Sequence, residues 1–262
     1  MTWIEALILG IVQGLTEFLP VSSSGHLEIG SVLLNIQASE NLLFAIIVHL
    51  ATAIATITVY WNDIRTVLSD LLKFQNNDST RFALKIIVSM IPVFVIGLFF
   101  KDQIEALFTG NLVLVGSMLL ITGTLLLFAH YKKDGEKDVG FFPAFIIGIA
   151  QAIAVLPGVS RSGATISAAL ILGVERSKAA RFSFLMVLLP IMGASLLQVK
   201  DYVENPSVHT IGYMPLLIGF LASFLAGFVA CKWMIKIVRK GKLTHFALYC
   251  FAVGLIAILF SI

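Results

Sequence analysis

Two short stretches of this apolar chain carry side chains that together could bind and attack a phosphoryl group. Ser23 and His26 lie three positions apart, so on a helix they would share one face. A hydroxyl beside an imidazole is the arrangement of an activated nucleophile. Glu17 lies just before them, and Arg161 in the other stretch has a planar guanidinium that suits phosphate oxygens. We predict all four as catalytic residues, with a purely structural pairing of Arg161 with Glu17 as the alternative.

Each stretch is a Leu-Pro break followed by serines that would begin a second helix. Serine at a helix start caps free N–H groups, and a helix N-terminus is a natural binding site for phosphate. The predicted phosphate-binding residues are Ser22, Ser24, Gly25, Ser160, Ser162, Gly163, Thr165 and Gln13. Ser22 and Ser160 occupy matching places and are interpreted first as caps. For Ser162 and Thr165 the alternative is a hydrogen bond back to their own helix. His49 is interpreted as a core histidine.

The two stretches belong to an internal repeat. Residues 8–25, ILGIVQGLTEFLPVSSSG, match residues 146–163, IIGIAQAIAVLPGVSRSG, at a constant offset of 138 positions. Each apolar run before the proline is about 16 residues, or ~24 Å of helix, which falls short of the ~30 Å hydrocarbon core. Interrupted segments at matching places in two halves indicate a binding site in a membrane protein. We expect two re-entrant hairpins whose tips meet near the midplane.

The composition is that of an integral membrane protein. The chain is 58% hydrophobic and only 13% charged, far fewer charges than a soluble domain carries. Its longer apolar runs predict transmembrane helices. The predicted fold class is therefore an all-α polytopic membrane protein with two repeats, each a re-entrant hairpin followed by three transmembrane helices. The predicted boundaries are a first repeat 1–130 (hairpin 3–35, spans 42–61, 83–100 and 112–130), a cytoplasmic linker 131–140, and a second repeat 141–262 (hairpin 141–173, spans 181–199, 212–231 and 244–261).

The placement of charge predicts the orientation. The loops on one side carry fifteen lysines and arginines, and those on the other side carry two. By the positive-inside rule the richer side is cytoplasmic and both termini are extracytoplasmic. Because each half crosses three times, the second half is upside down relative to the first, which makes an inverted-topology repeat.

The paired motifs resemble those of a known family. QGLTEFLPVSSSGH (13–26) and PGVSRSGAT (157–165) resemble the two signature motifs of the undecaprenyl-diphosphate phosphatase family of the bacitracin-resistance type. The segment ARFSFLMVLLP (180–190) resembles a further family segment, so the resemblance covers essentially the whole chain. It implies a multi-pass enzyme of the bacterial inner (plasma) membrane. Such an enzyme hydrolyses undecaprenyl diphosphate to undecaprenyl phosphate, the carrier lipid of cell-wall synthesis.

The resemblance also implies roles for individual residues. The family's acidic residue, serine nucleophile, histidine and essential arginine fall on Glu17, Ser23, His26 and Arg161. It implies a divalent cation, Mg²⁺ or alternatively Ca²⁺, held by Glu17 and substrate oxygens. Gln13 stands where some members carry a carboxylate, which argues against a two-carboxylate metal cage. We predict in-line attack of Ser23 on the terminal phosphorus, with His26 or Glu17 taking the proton. Attack by a water held on Glu17 is the alternative.

The rival function is transport. Inverted repeats with broken helices are also typical of transporters, so a carrier or flippase for a phosphate-bearing lipid or anion would have the same architecture. The asymmetry of the two copies favours the enzyme. The first copy has an acid and an imidazole where the second has apolar residues, and the second has Arg161 where the first has Ser23.

The expected partners are a polyprenyl diphosphate and membrane lipid, with no nucleic acid. Small residues such as Ala226 and Gly227 let helices approach closely, either within one protomer or between protomers. A homo-oligomer is therefore left open.

Overall fold

The computed structural model describes residues 1–36, 38–108, 110–193, 195 and 211–261. All regular secondary structure in these residues is helical, which confirms the all-α fold class. The helices are α1 (Trp3–Phe18), α2 (Ser23–Leu33), α3 (Ala38–Val59), α4 (Trp61–Leu71), α5 (Asp78–Phe99), α6 (Lys101–Glu105), α7 (Leu112–Tyr131), α8 (Phe141–Ile153), α9 (Arg161–Ile171), α10 (Arg176–Met186), α11 (Tyr213–Arg239) and α12 (Thr244–Leu259).

Several of these helices have the length and composition of membrane spans. Within the described residues, α5, α7 and α11 are long and apolar enough to cross a membrane. The α3–α4 pair adds a fourth candidate, although the chain bends by 77° between the two helices. Helix α12 is apolar too, but it has only 16 residues. The chain is therefore a helical membrane protein.

Two spans are longer than predicted, because polar or charged residues at their ends stabilise additional helical turns. Helix α5 starts at Asp78 rather than 83, since Asn77 caps it by accepting the N–H of Thr80 at 2.8 Å. Helix α11 continues to Arg239 rather than ending at 231. Cations in its last turn favour that extension because they interact well with the helix C-terminus.

The span predicted at 181–199 is divided. Helix α10 ends at Met186, a turn follows at Val187, and residues 188–193 are helical again. Pro190 explains the break, because proline has no N–H to donate to the carbonyl of Met186 and its ring clashes with that carbonyl. Residues 194 and 196–199 of this prediction lie outside the described residues.

The predicted breaks at the two signature motifs separate pairs of short helices. Residues 19–22, here called the first tip, join α1 to α2, and residues 154–160, the second tip, join α8 to α9. Each tip contains a proline that cannot continue the preceding helix, Pro20 in the first and Pro157 in the second. These are the positions of the predicted hairpins 3–35 and 141–173.

The first helix of each hairpin packs against a long helix of the other half of the chain, α1 on α11 and α8 on α5. Glycine allows this close approach. A β-carbon added at Gly10 would lie 2.6 Å from the carbonyl oxygen of Gly219, and one at Gly14 would lie 2.8 Å from the β-carbon of Ala226. The Ala226-Gly227 pair therefore packs helices within the protomer, and the hairpins are fixed against the spans.

Candidate active site

Each tip contacts the first turn of the helix that follows the other tip, although 138 positions separate the two motifs. A β-carbon added at Gly25 would lie 3.0 Å from the α-carbon of Gly158. The hydroxyl of Ser162 donates to the carbonyl oxygen of Leu19 at 3.3 Å. The predicted meeting of the tips is therefore confirmed, and it brings the N-termini of α2 and α9 to one place.

Each tip is capped by the predicted serine. The Ser22 hydroxyl accepts the N–H of Gly25 at 3.2 Å, and the Ser160 hydroxyl accepts the N–H of Gly163 at 3.0 Å. The predicted caps are thus confirmed in both copies. Because these two hydroxyls already bind backbone, their phosphate contacts stay a prediction.

Helix α7 forms hydrogen bonds to the backbone of the second tip. The Thr122 hydroxyl accepts the backbone N–H of Ser160 at 3.0 Å and lies 3.2 Å from the carbonyl oxygen of Gly158, to which it donates. Gly158 adopts a φ of 95°, which only glycine takes up without steric cost. The turn that places Arg161 at the start of α9 is therefore built from a glycine and an anchor on a neighbouring helix.

The carboxylate of Glu17 is the centre of the site. Its Oε1 accepts a hydrogen bond from Arg161 Nη2 at 2.5 Å, and its Oε2 accepts from the Ser23 hydroxyl at 2.6 Å and from Gln13 Nε2 at 2.9 Å. His49 Nε2 lies 3.5 Å from the same Oε2. Three side chains, from α1, α3 and α9, thus converge with Ser23 of α2 on one buried acid, whose side chain is 7% exposed.

The pairing of Glu17 with Arg161 keeps an acid and a cation stable out of water, since each compensates the desolvation of the other. It leaves most of the guanidinium free. Arginine has five N–H donors, and within the described residues only one Arg161 donor has a protein partner. The side chain is 25% exposed, so the remaining donors can take phosphate oxygens in a planar, bidentate contact.

The two bases considered for Ser23 are placed very differently. Glu17 is hydrogen bonded to the serine hydroxyl. His26 is not: its Nδ1 lies 2.8 Å from the carbonyl oxygen of Ser22 and its Nε2 lies 2.8 Å from the Tyr249 hydroxyl. The geometry therefore favours Glu17 as the acceptor of the serine proton.

Three other predicted phosphate ligands have hydroxyls that already contact protein atoms. Thr165 donates to the carbonyl oxygen of Arg161 at 2.9 Å, which is the bond back to its own helix given above as the alternative. The Ser24 hydroxyl lies 3.3 Å from that of Ser22, and the Ser162 hydroxyl lies 3.3 Å from that of Ser160.

A cavity opens beside the Glu17–Arg161 pair. Its lining combines the charged pair and hydroxyls with apolar side chains. Its lining residues are Glu17, Phe18, Thr52, Thr56, Arg161, Ser162, Ser183, Phe184, Val187 and Ile191. The lining thus places a cationic group and hydroxyls close to apolar side chains.

His49 and Tyr249 are site residues that the sequence analysis missed. For His49 a signal was present: at the repeat offset of 138 it matches Val187, just as Glu17 matches Val155. Like Glu17 and His26, it is a polar residue of the first copy that matches an apolar residue of the second. No such signal exists for Tyr249, which comes from α12.

The residues around Glu17 include candidate ligands for the divalent cation that the family resemblance implies. The described residues contain no group of three His, Cys, Asp or Glu side chains that could hold a metal. They do contain a mixed set. Gln13 Oε1 is buried without a hydrogen-bond partner, and His49 Nε2 faces Glu17, since His49 Nδ1 is taken by the carbonyl oxygen of Ala45 at 2.6 Å. Two oxygens and one nitrogen fit a divalent cation whose other ligands are substrate oxygens and water.

A helical membrane fold with an acid, a serine hydroxyl and a guanidinium where two broken hairpins meet defines a class of membrane enzyme that acts on phosphate esters or anhydrides. The chain belongs to the family described as bacitracin resistance protein BacA, whose model matches residues 6–256.

Curated relatives match the chain over almost its full length. An undecaprenyl-diphosphatase of Bacteroides thetaiotaomicron is 54% identical over 261 residues, which cover 99% of each chain. One of Parabacteroides distasonis is 53% identical over 260 residues and 98% of each chain. A more distant one, of Carboxydothermus hydrogenoformans, is 42% identical over 258 residues, 97% of this chain and 95% of the relative.

Proposed function

We propose that this chain is a membrane phosphatase that hydrolyses undecaprenyl diphosphate to undecaprenyl phosphate and inorganic phosphate, and so returns carrier lipid to cell-wall synthesis. The observation that carries the proposal is the hydrogen bond of Ser23 to Glu17, with Arg161 on the same carboxylate. Three relatives at 42–54% identity carry the same activity in their names. The side chains around the pair agree with it, since apolar residues lie close to a cationic group there.

The first step is attack by Ser23 on the terminal phosphorus. Glu17 Oε2, 2.6 Å from the serine hydroxyl, takes its proton as the new oxygen–phosphorus bond forms. The bond from phosphorus to the bridging oxygen breaks, and undecaprenyl phosphate leaves as an anion. Water then attacks the phosphoserine, and the bond from phosphorus to the serine oxygen breaks. The proton held on Glu17 returns to that oxygen, and inorganic phosphate leaves with the oxygen and hydrogens of the water.

Charge stabilisation comes from the second motif. The free donors of Arg161 and the N-termini of α2 and α9 face the oxygens on which charge accumulates, and in phosphoryl transfer this electrostatic contribution is the main one. A bound divalent cation supplies further positive charge beside the same oxygens. Glu17, Gln13 Oε1 and His49 Nε2 are the groups that would hold it.

The direct test of the function is phosphate release by the purified chain. With undecaprenyl diphosphate and Mg²⁺ it should release inorganic phosphate, and a chelator should stop the release until Mg²⁺ is restored. Movement of lipid phosphate across a vesicle membrane without any release would instead establish the transporter.

The cation site predicts an effect of His49→Gln that does not depend on turnover. An amide oxygen would replace an imidazole nitrogen, and nitrogen ligands increase affinity along the series from Mn²⁺ towards the later metals. We expect Mn²⁺ to bind the purified variant about tenfold more weakly, and Mg²⁺ to be affected less, in line with the loss of one nitrogen ligand. Mn²⁺ binding is measured by electron paramagnetic resonance, with Mg²⁺ as competitor. Unchanged Mn²⁺ affinity would remove His49 from the ligand set.

The two halves form an inverted-topology repeat. In each half the first helix of the hairpin packs on a long helix of the other half: α1 packs on α11, and α8 packs on α5. Helices α7 and α12 add a reciprocal contact. A β-carbon at Gly116 would lie 2.6 Å from the Gly254 carbonyl oxygen, and one at Gly123 would lie 3.0 Å from that of Ala247. At an offset of 131 positions Gly116 corresponds to Ala247 and Gly123 to Gly254, so each pair is the counterpart of the other. A twofold axis between the two helices produces this reciprocal pattern.

The orientation, with both termini outside the cytoplasm, predicts a labelling pattern. Glu136 in the linker and Gln103 in the short helix α6 are exposed positions. A cysteine at 136 should react with a membrane-impermeant thiol reagent only after cells are opened, whereas a cysteine at 103 should react in intact cells. The parent chain is the control, because Cys231 and Cys250 are buried. The reverse pattern would contradict the charge argument.

A further inference from the structure

Ser22 has a backbone conformation that its residue type does not favour. Its φ is 71° and its ψ is 95°. Residues other than glycine rarely adopt a positive φ. In the second tip the residue with a positive φ is a glycine, Gly158, at 95°. The capping serine there, Ser160, has an ordinary φ of −76°. Other contacts must therefore stabilise the backbone conformation of Ser22. That conformation also sets the position of Ser23, which follows it directly in the chain.

His26 is what holds it. The carbonyl oxygen of Ser22 accepts two hydrogen bonds from this one residue, from the backbone N–H at 3.2 Å and from ring Nδ1 at 2.8 Å. Because a carbonyl oxygen can only accept, Nδ1 must carry the hydrogen. In the neutral ring the lone pair is then on Nε2.

Tyr249 takes up that lone pair. Its hydroxyl lies 2.8 Å from Nε2 and donates to it, and the two rings stack with centroids 5.6 Å apart and planes 9° apart. The contact joins α2 to α12, which is 223 positions away in sequence. With Nδ1 donating to Ser22 and Nε2 accepting from Tyr249, the neutral imidazole has no lone pair for the Ser23 proton.

We propose that His26 and Tyr249 are positioning residues: they hold Ser22 in its left-handed conformation and thereby aim the Ser23 hydroxyl, while Glu17 takes the proton. This inference rests on the phosphatase function proposed above and replaces the predicted role of His26 as a base. It assigns Tyr249, on the last described helix, to the catalytic machinery of the first hairpin.

The test is rescue by glycine. His26→Ala should lower kcat by about a hundredfold, the effect of a misplaced reacting group. Ser22→Gly in that background should recover most of the loss, because glycine adopts a positive φ freely and is only slightly worse than serine as a cap. Ser22→Ala in the same background is the matched control. It should recover nothing, since alanine keeps the steric cost and loses the cap.

Tyr249→Phe gives a second measurement that does not require loss of the imidazole. It removes the hydroxyl and keeps the ring. In the parent, kcat should therefore fall by about tenfold, because one positioning contact is lost. In the His26→Ala background the same substitution should cause no further loss of kcat, because the contact is already absent. A base would give a different pattern: Ser22→Gly could not restore turnover to a protein without the imidazole. An active parent without glycine rescue overturns the positioning role alone, whereas a parent that releases no phosphate overturns the proposed function as well.

Discussion

Ser23→Ala is expected to bring phosphate release close to the uncatalysed background while the variant still retains undecaprenyl diphosphate. In the proposed mechanism the serine oxygen forms the bond to phosphorus, so its removal should eliminate the chemistry. The groups that hold the phosphate belong to other residues, chiefly Arg161 and the helix N-termini, so binding should persist. Single-turnover phosphate release and retention of labelled lipid by the purified variant measure the two effects separately.

Ser22→Ala is the neighbouring control. Its hydroxyl caps α2, and loss of a cap costs about 1 kcal/mol of stability. Turnover should therefore fall only modestly. If Ser23→Ala released phosphate at a substantial fraction of the parent rate, a water held on Glu17 would be the nucleophile instead.

Arg161→Lys should lose most of the turnover even though the charge is kept. Lysine cannot make two parallel hydrogen bonds to a phosphate group, and loss of one preorganised donor to a transferring group costs about 3 kcal/mol, or some hundredfold in kcat. The loss should appear in kcat and kcat/KM alike, since these contacts strengthen in the transition state.

Arg181→Lys is the matched control for this substitution. Arg181 pairs with Asp63 at 2.7 Å and is 45% exposed, away from the tips. Its replacement by lysine should leave kcat within error of the parent. Near-parental turnover in Arg161→Lys would make Arg161 a structural partner of Glu17.

The sequence predicted the parts of the site that local rules determine. Serine after a Leu-Pro break predicted the caps, and both are present at Ser22 and Ser160. The repeat predicted that the two tips meet, because irregular backbone in a membrane must be covered by protein. The pairing of Arg161 with Glu17 was also foreseen, as an alternative, from the types of the two residues alone.

Contacts between distant helices could not be predicted in this way. The spacing of Ser23 and His26 indicated a shared face, but the partner of the imidazole is Tyr249, whose approach depends on how α12 packs on α7. Prolines show a second limit. Pro92 lies inside the continuous α5, whereas the helix before Pro190 ends at Met186. Both lie in apolar runs, so the residue type and its surroundings in sequence do not tell which helix continues.

The stereochemical course at phosphorus tests most directly whether Ser23 is the nucleophile. The substrate is an undecaprenyl diphosphate analogue whose terminal phosphorothioate is made chiral with oxygen isotopes, hydrolysed by the purified chain in isotopically labelled water. Each in-line displacement inverts the configuration, so attack by Ser23 followed by attack of water predicts net retention. Net inversion would show a single displacement by water and would contradict the serine mechanism.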